Sequence, residues 1–374
     1  MLRRVTLIVL VGAAVWLPAC SSGSTTTRTV LADYNNDQVA GGYQSFFPRF
    51  ISAHPGDTIK FRQAWTGDPH TVTLGKLVDA AAKPLLPYLK GQKSLTDQPP
   101  ADVEEAFQKL PSFFDPDVNQ TVAQPCYIAT GDLPTNDKPC PKNEQREPEF
   151  HGNEQFFNSG FIHFAGVGGN QYSITLADDI KPGEYAFNCV VHGPQMTGTI
   201  TVVPKSTDVG GQGRINDAAH KQLQRFNQKL QRLHDATAAK AKPAGVDILA
   251  GAAPQANSVD GYDDREFFPE RFIAHVGQKV TWLISTEPAH TVSFDVPKYL
   301  PVIIVGKDGT VSGNPETTDP RNSAAAANYD GTAFLSSGAS FEGAKRFSVT
   351  FTKPGTYPYA CLLHPRMIGE VVVR

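Results

Sequence analysis

Apolar and polar side chains alternate in several short runs of this chain. In "DTIKF" (57–61) Ile59 and Phe61 alternate with Thr58 and Lys60, and "KVTWLI" (279–284) is similarly rich in β-branched and aromatic residues. A period of two sends successive side chains to opposite faces of a strand. "KPGEYAFNC" (181–189) and "KPGTYPYAC" (353–361) each join a Pro-Gly turn to such a run, and "GTITVV" (198–203) and "GEVVV" (369–373) supply one more each. Many short strands between Gly/Pro turns predict an all-β fold, a β-sandwich. The period changes in 215–242, where Leu223, Phe226, Leu230 and Leu233 are spaced three, four and three apart. That spacing puts them in one apolar stripe on a helix, with Asn216 as N-cap. Its other face carries Lys221, Arg225, Lys229 and Arg232. Such a helix is a linker packing on the chain's own domains, or else a coiled-coil seam or docking face. "PADVEEAFQKL" (100–110) predicts a second, short helix.

The pattern occurs twice. "SFFPRFISAHPGDTIKF" (45–61) lies over "EFFPERFIAHVGQKVTW" (266–282) without a gap. "DPHTVTL" (68–74) follows in the first copy and "EPAHTVSF" (287–294) in the second, then "FFNSGF" (156–161) and "FLSSGA" (334–339). Finally 172–203 matches 347–373. Shared landmarks in the same order indicate two copies of one domain. The reading is a first domain over 33–205, a linker over 206–250 with the helix, and a second domain over 251–374. His70 and Cys189 are 119 residues apart, His290 and Cys361 only 71. The first copy therefore carries an insertion, about 76–152, expected to cover one side or end of its sandwich.

Each copy ends in the same chemistry. "YAFNCVVHGPQMTG" (185–198) and "YPYACLLHPRMIGE" (357–370) place Cys, His and Met in that order just after an aromatic strand. A thiolate, imidazoles and a thioether suit copper, and two His, one Cys and a distant Met make the blue-copper electron-transfer site. The ligand sets are Cys189, His192 and Met196, and Cys361, His364 and Met367. "PHTV" and "AHTV" offer His70 and His290 as the missing second histidines. A single Cys, His or Met of this kind is more often a core residue, but here the set recurs. The chain has 3 Met, and the two after Met1 both fall in these motifs.

On "HTV", "PGxYxxxC" and C-x-x-H-x(2,3)-M, each copy resembles a cupredoxin of the plastocyanin, amicyanin and halocyanin kind. The resemblance implies two tandem cupredoxin-like Greek-key β-sandwiches joined by a linker helix, each with one type 1 copper that carries one electron. It implies protein redox donors and acceptors. It also implies that the His of each final loop shows its edge to solvent, so His192 and His364 are expected as electron ports, the second steered toward acidic partners by Arg366. Family members often have Asn after the first His, where this chain has Thr71 and Thr291. Copper oxidoreductases such as nitrite reductases and multicopper oxidases are also built from cupredoxin repeats, but they need further His ligands. No His-x-His occurs here, and the residues flanking the cysteines are Asn188, Val190, Ala360 and Leu362. The expectation is an electron carrier, not an enzyme. Copper delivery is the other alternative.

Arg3 and Arg4, an apolar run from Val5 to Leu17 and "LPAC" resemble a bacterial lipoprotein signal over 1–19, with cleavage before Cys20 and lipidation of that thiol. Residues 20–32 then read as a flexible tether. The expected location is outside the cytoplasmic membrane, lipid-anchored, facing the periplasm or cell exterior. Of the 5 cysteines, Cys126 and Cys140 remain, and export predicts a disulfide between them. Such a loop gains about 3 kcal/mol from a crosslink. The net charge of −3 and the lack of a basic block argue against nucleic acid.

Overall fold

The computed structural model describes residues 25–34, 36, 38–63, 68–94, 100–110, 149–162, 170–254, 259–285, 289–296, 300, 303–305, 311–340 and 343–374. The expected signal segment, Cys20, Cys126 and Cys140 lie outside these residues.

The strands of the first half are β1 (Thr27–Ala32), β2 (Gly41–Gly42), β3 (Phe46–Phe47), β4 (Phe50–Ala53), β5 (Thr58–Gln63), β6 (Thr73–Leu74), β7 (Phe157–Asn158), β8 (Gln171–Thr175), β9 (Gly183–Asn188) and β10 (Thr197–Val202). Those of the second half are β11 (Ile248–Ala252), β12 (Asp263–Phe268), β13 (Arg271–Ala274), β14 (Lys279–Ile284), β15 (Ser293–Phe294), β16 (Ile303–Val305), β17 (Val311–Gly313), β18 (Leu335–Ser336), β19 (Lys345–Thr350), β20 (Gly355–Ala360) and β21 (Ile368–Val373). The first half pairs as β3-β1-β5-β8 and β4-β10-β9-β6-β7. The second repeats this strand for strand, as β19-β14-β11-β12 and β13-β21-β20-β15-β18, while β16 and β17 form a small hairpin. The register repeats too. Val30 lies opposite Phe61 in the parallel pair β1–β5, and Ile248 opposite Trp282 in β11–β14.

Alternation decides which side chains enter each core. Phe46, Phe61 and Phe187 are fully buried between the first pair of sheets, with Phe187 centred 4.9 Å from Phe46 and 5.1 Å from Phe61. Trp282, Phe294 and Tyr359 fill the second, with Tyr359 5.3 Å from both other rings. Aromatic pairs at these separations add to their area burial. The described part of the insertion contains α1 (Lys76–Ala82), α2 (Leu86–Leu89) and α3 (Ala101–Phe107). Val78, Ala81 and Ala82 pack on Ala186 of β9, so these helices cover one side of the first sandwich, as expected.

The boundaries shift in three places. Residues 27–32, expected in the tether, are β1, a strand within the first sheet. β11 begins at Ile248, inside the expected linker. β2, from the first half, joins the second half's sheet by pairing with β12, Gly41 opposite Asp264. A long-range pairing of two glycines leaves no periodicity to read.

The linker helix α4 (Gln212–Ala239) starts before the expected Asn216. Its N-cap is Gly211, without a side-chain cap bond. Gln212 extends it by bonding the backbone of β1 on both sides: its Oε1 accepts from the Thr29 N–H at 2.8 Å, and its amide donates to the Thr29 carbonyl at 3.0 Å. Leu223, Phe226 and Leu230 are buried against Val39, Tyr43 and Phe47. The helix thus packs on the chain's own domains, which favours the linker reading. No helix among the described residues is long and apolar enough to cross a membrane.

Candidate metal centres

In both copies β9 or β20 delivers the cysteine at its end, and the next turn brings the histidine back beside it. The Cys189 carbonyl accepts from the His192 N–H at 3.2 Å and the Gly193 N–H at 2.9 Å. The Cys189 N–H donates to the Met196 carbonyl at 3.0 Å, and the Cys361 N–H to the Met367 carbonyl at 2.9 Å. Both methionines are fully buried.

The remaining histidine comes from the segment before β6 or β15. Ser159 and Ser337 hold this segment by accepting from the Val72 and Val292 N–H groups at 2.8 and 2.9 Å. That is the physical content of the "NSG"/"SSG" landmark. The threonine after each histidine ties the two ligand segments together. The Thr71 N–H donates to Cys189 Sγ at 3.3 Å and its hydroxyl accepts from the Val190 N–H at 3.0 Å. Thr291 does the same for Cys361 Sγ at 3.3 Å and the Leu362 N–H at 2.8 Å.

The outcome is two nearly superimposable clusters. In the first, Cys189 Sγ lies 3.5 Å from His192 Nδ1 and 4.0 Å from His70 Nδ1, and the two Nδ1 atoms are 3.2 Å apart. In the second, Cys361 Sγ lies 3.5 Å from His364 Nδ1 and 3.9 Å from His290 Nδ1, with the Nδ1 atoms 3.0 Å apart. Bonds of about 2.0–2.3 Å to a central ion in a trigonal plane imply donor separations of about 3.5–3.8 Å. The donors, two imidazole nitrogens and one sulfur with a buried Met alongside, therefore fit a copper ion. Burial opposes ionisation of both thiols, yet the adjoining imidazoles outweigh it. His192 and His70 hold Cys189 well below the usual thiol range, and His364 and His290 do so for Cys361. A thiolate is the form that binds metal.

The copies differ at the far side of the first histidine. Because Phe61 and Trp282 are equivalent, Asp33 and Gly251 occupy the same place, three residues past Val30 and Ile248. Both adopt a positive φ, 61° and 74°. Asp33 Oδ2 lies 2.7 Å from His70 Nε2. Burial opposes a charge on His70, but Asp33 and Cys189 push it up to about 10. In the second copy a Cβ on Gly251 would meet His290 Nε2 at 1.9 Å, so the ring needs glycine there. His290 Nε2 has no hydrogen-bond partner among the described residues, and burial pushes this imidazole down.

The copies differ again at the final histidine. His192 is half-buried among half-buried Val191, Gly193 and Pro194. His364, expected as a solvent-facing port, is only 3% exposed. Its Nε2 faces Asp68 Oδ1 of the first half at 3.6 Å. Asp68 also pairs with Arg265, which bonds Asp263 on its own strand. Burial opposes the Asp68 charge, but Arg265 and the His364 and His192 imidazoles hold its carboxyl well below the usual range. Arg366, expected to steer partners to the second port, donates from its guanidinium to the Asn36 carbonyl of the first half. Sequence reasoning missed Asp33, Asp68 and Gly251, since only the folded chain brings them to the ligands.

Residues 255–374 match the family model for copper binding proteins of the plastocyanin/azurin family. That part of the chain is a cupredoxin-like copper-binding domain. No curated protein matches the chain. Similar solved structures include the Cu(I) form of a Met-to-Ala mutant of amicyanin, 22% identical, covering 37% of this chain and 89% of that one, with a TM-score of 0.21. The oxidised form of a Met-to-Lys mutant of amicyanin is 21% identical over the same shares, with a TM-score of 0.22.

Proposed function

We propose that this chain is an electron-transfer protein with two type 1 copper sites. His70, Cys189, His192 and Met196 hold one ion, and His290, Cys361, His364 and Met367 the other. The observation that carries this reading is the duplicated His–Cys–His cluster, with equal Sγ–Nδ1 separations of 3.5 Å in the two copies. Copper, when bound, supplies a one-electron couple. The chain's own residues do the rest. Strands β9 and β20 fix the cysteines, Thr71 and Thr291 lock ligand segment to ligand segment, and the aromatic cores hold both against movement. A ligand set this constrained and mostly buried, with a side chain at each donor position, suits outer-sphere transfer rather than substrate binding.

The export signal, the anchor at Cys20 and the Cys126–Cys140 disulfide belong to the same proposal. A lipid-tethered carrier outside the cytoplasmic membrane would meet protein donors and acceptors there.

The test is the visible spectrum of the copper-loaded protein. Two intensely coloured, reversibly reducible centres are expected, and Cys189→Ser and Cys361→Ser should each remove one and spare the other. Colourless, weakly held copper would favour delivery over transfer. Loss of both centres from either single change, in a folded protein, would overturn the two-site reading.

A further inference from the structure

A third cluster lies where the linker helix α4 meets the second sandwich. Asp264 and Glu266 are two apart on β12, so they face the same way, toward α4. Arg265 between them points to the opposite face, where Asp263 and Asp68 engage it. His234 comes down from α4 one turn after buried Leu230, and its ring lies 5.2 Å from Phe268, the next residue on that face of β12. His234 Nδ1 is 3.0 Å from Asp264 Oδ2 and 3.6 Å from Glu266 Oε2, and all three donor atoms lie within 4.8 Å of one another.

Two further features mark this as more than an ion pair. The Asp264 side chain is 0% exposed, and its Oδ1 has no hydrogen-bond partner among the described residues. A buried carboxylate oxygen left unmatched is costly and calls for a ligand. Glu266 is oriented from behind: its Oε1 accepts from the Ala40 N–H at 2.8 Å, which leaves Oε2 for the cluster. Such outer bonds are how ligands are aimed at metals. Burial and the neighbouring charges of Glu266 and Asp263 push the Asp264 carboxyl up to about 8. A divalent cation would relieve that repulsion.

We propose that His234, Asp264 and Glu266 form a binding site for a divalent cation of the zinc class, with water completing the shell. One nitrogen and two carboxylate oxygens suit a borderline ion, and the absence of sulfur from the trio disfavours Cu(I). Tetrahedral bonds of about 2.1 Å imply donor separations of about 3.4 Å, between the two distances above. Donors are shared by a helix and a strand, so the ion would pin α4 to the second domain. Since α4 also packs on the first domain through Phe226, the site would stiffen the joint between them. This proposal does not depend on the copper reading.

The experiment uses the full chain carrying Cys189→Ser and Cys361→Ser, so that zinc is not captured by the thiolates. Zinc chloride is titrated by calorimetry, and melting is followed by circular dichroism. One equivalent should bind and raise the melting temperature. Adding His234→Ala should weaken binding by roughly tenfold or more and abolish the thermal shift. Glu266→Gln, at a partly exposed position, gives the same reading should the histidine variant fail to fold. No zinc binding, or binding of equal affinity in folded variants lacking His234 or Glu266, would overturn the site and leave a plain ion pair.

Discussion

Asp33 and Gly251 show how one residue changes the surroundings of a ligand imidazole between the two sites. The Asp33 carboxylate lies 2.7 Å from His70 Nε2, while His290 Nε2 has no such partner among the described residues. A carboxylate behind a ligand imidazole makes it a stronger donor and places negative charge near the ion. Both effects favour the oxidised metal, so Asp33 should lower the reduction potential of the first site. Asp33→Asn should raise that potential and lower metal affinity by about 10- to 100-fold at most. Spectroelectrochemistry on the Cys361→Ser background isolates the first site. An unchanged potential in the Asn variant would refute the electrostatic role. The eight proposed ligands were legible because each sits in a short motif that occurs twice. Asp33 was not, because it precedes the first repeated landmark and its role needs the parallel pairing of β1 with β5.

Elements were legible where local period and tertiary packing agree. β14 and β20 fall where alternation places them, since both faces of those strands have a fixed environment. β1 was missed because "TRTVLA" follows directly on a polar, Ser/Thr-rich stretch and its partner β5 lies some 30 residues on. What fastens β1 is a buried carboxylate. Asp57 accepts from Arg28 Nε of β1 at 2.8 Å and from the Thr26 and His54 N–H groups at 3.0 Å each. Burial alone would raise its pKa, but the bonds from His54, Arg28 and Thr26 hold it below the usual carboxylate range. A depressed folded pKa means that the stabilisation is present above about pH 4 and is lost as pH falls through the folded value. Asp57→Asn leaves Arg28 without its charge partner and should cost about 3 kcal/mol at pH 7. The difference from the unsubstituted chain should shrink below pH 4. Urea midpoints at pH 7 and pH 3 check both, and an equal loss at the two values would contradict the assignment.

At the scale of the whole molecule the two sandwiches are not independent beads. β2 crosses into the second sheet, α4 is shared, and Asp68, Arg265, Gln44 and Asp263 form a charged and polar contact between the halves. That contact covers the second site's ligand edge. Proximity of His364 to Asp68, two residues from His70, turns that edge inward, whereas half-buried His192 keeps a small, apolar approach. Sequence reasoning expected both final-loop histidines to face solvent because the family resemblance concerns single domains, and what closes the second one is the first domain. With copper loaded, a protein-sized reductant should therefore reach the first site directly and the second slowly. In stopped-flow experiments the Cys361→Ser protein, which retains the first site, should be reduced faster than the Cys189→Ser protein by roughly tenfold or more. Ascorbate, small enough to enter narrow gaps, should narrow that difference. Equal rates for the two variants with a protein reductant would mean that the halves separate in solution and expose His364.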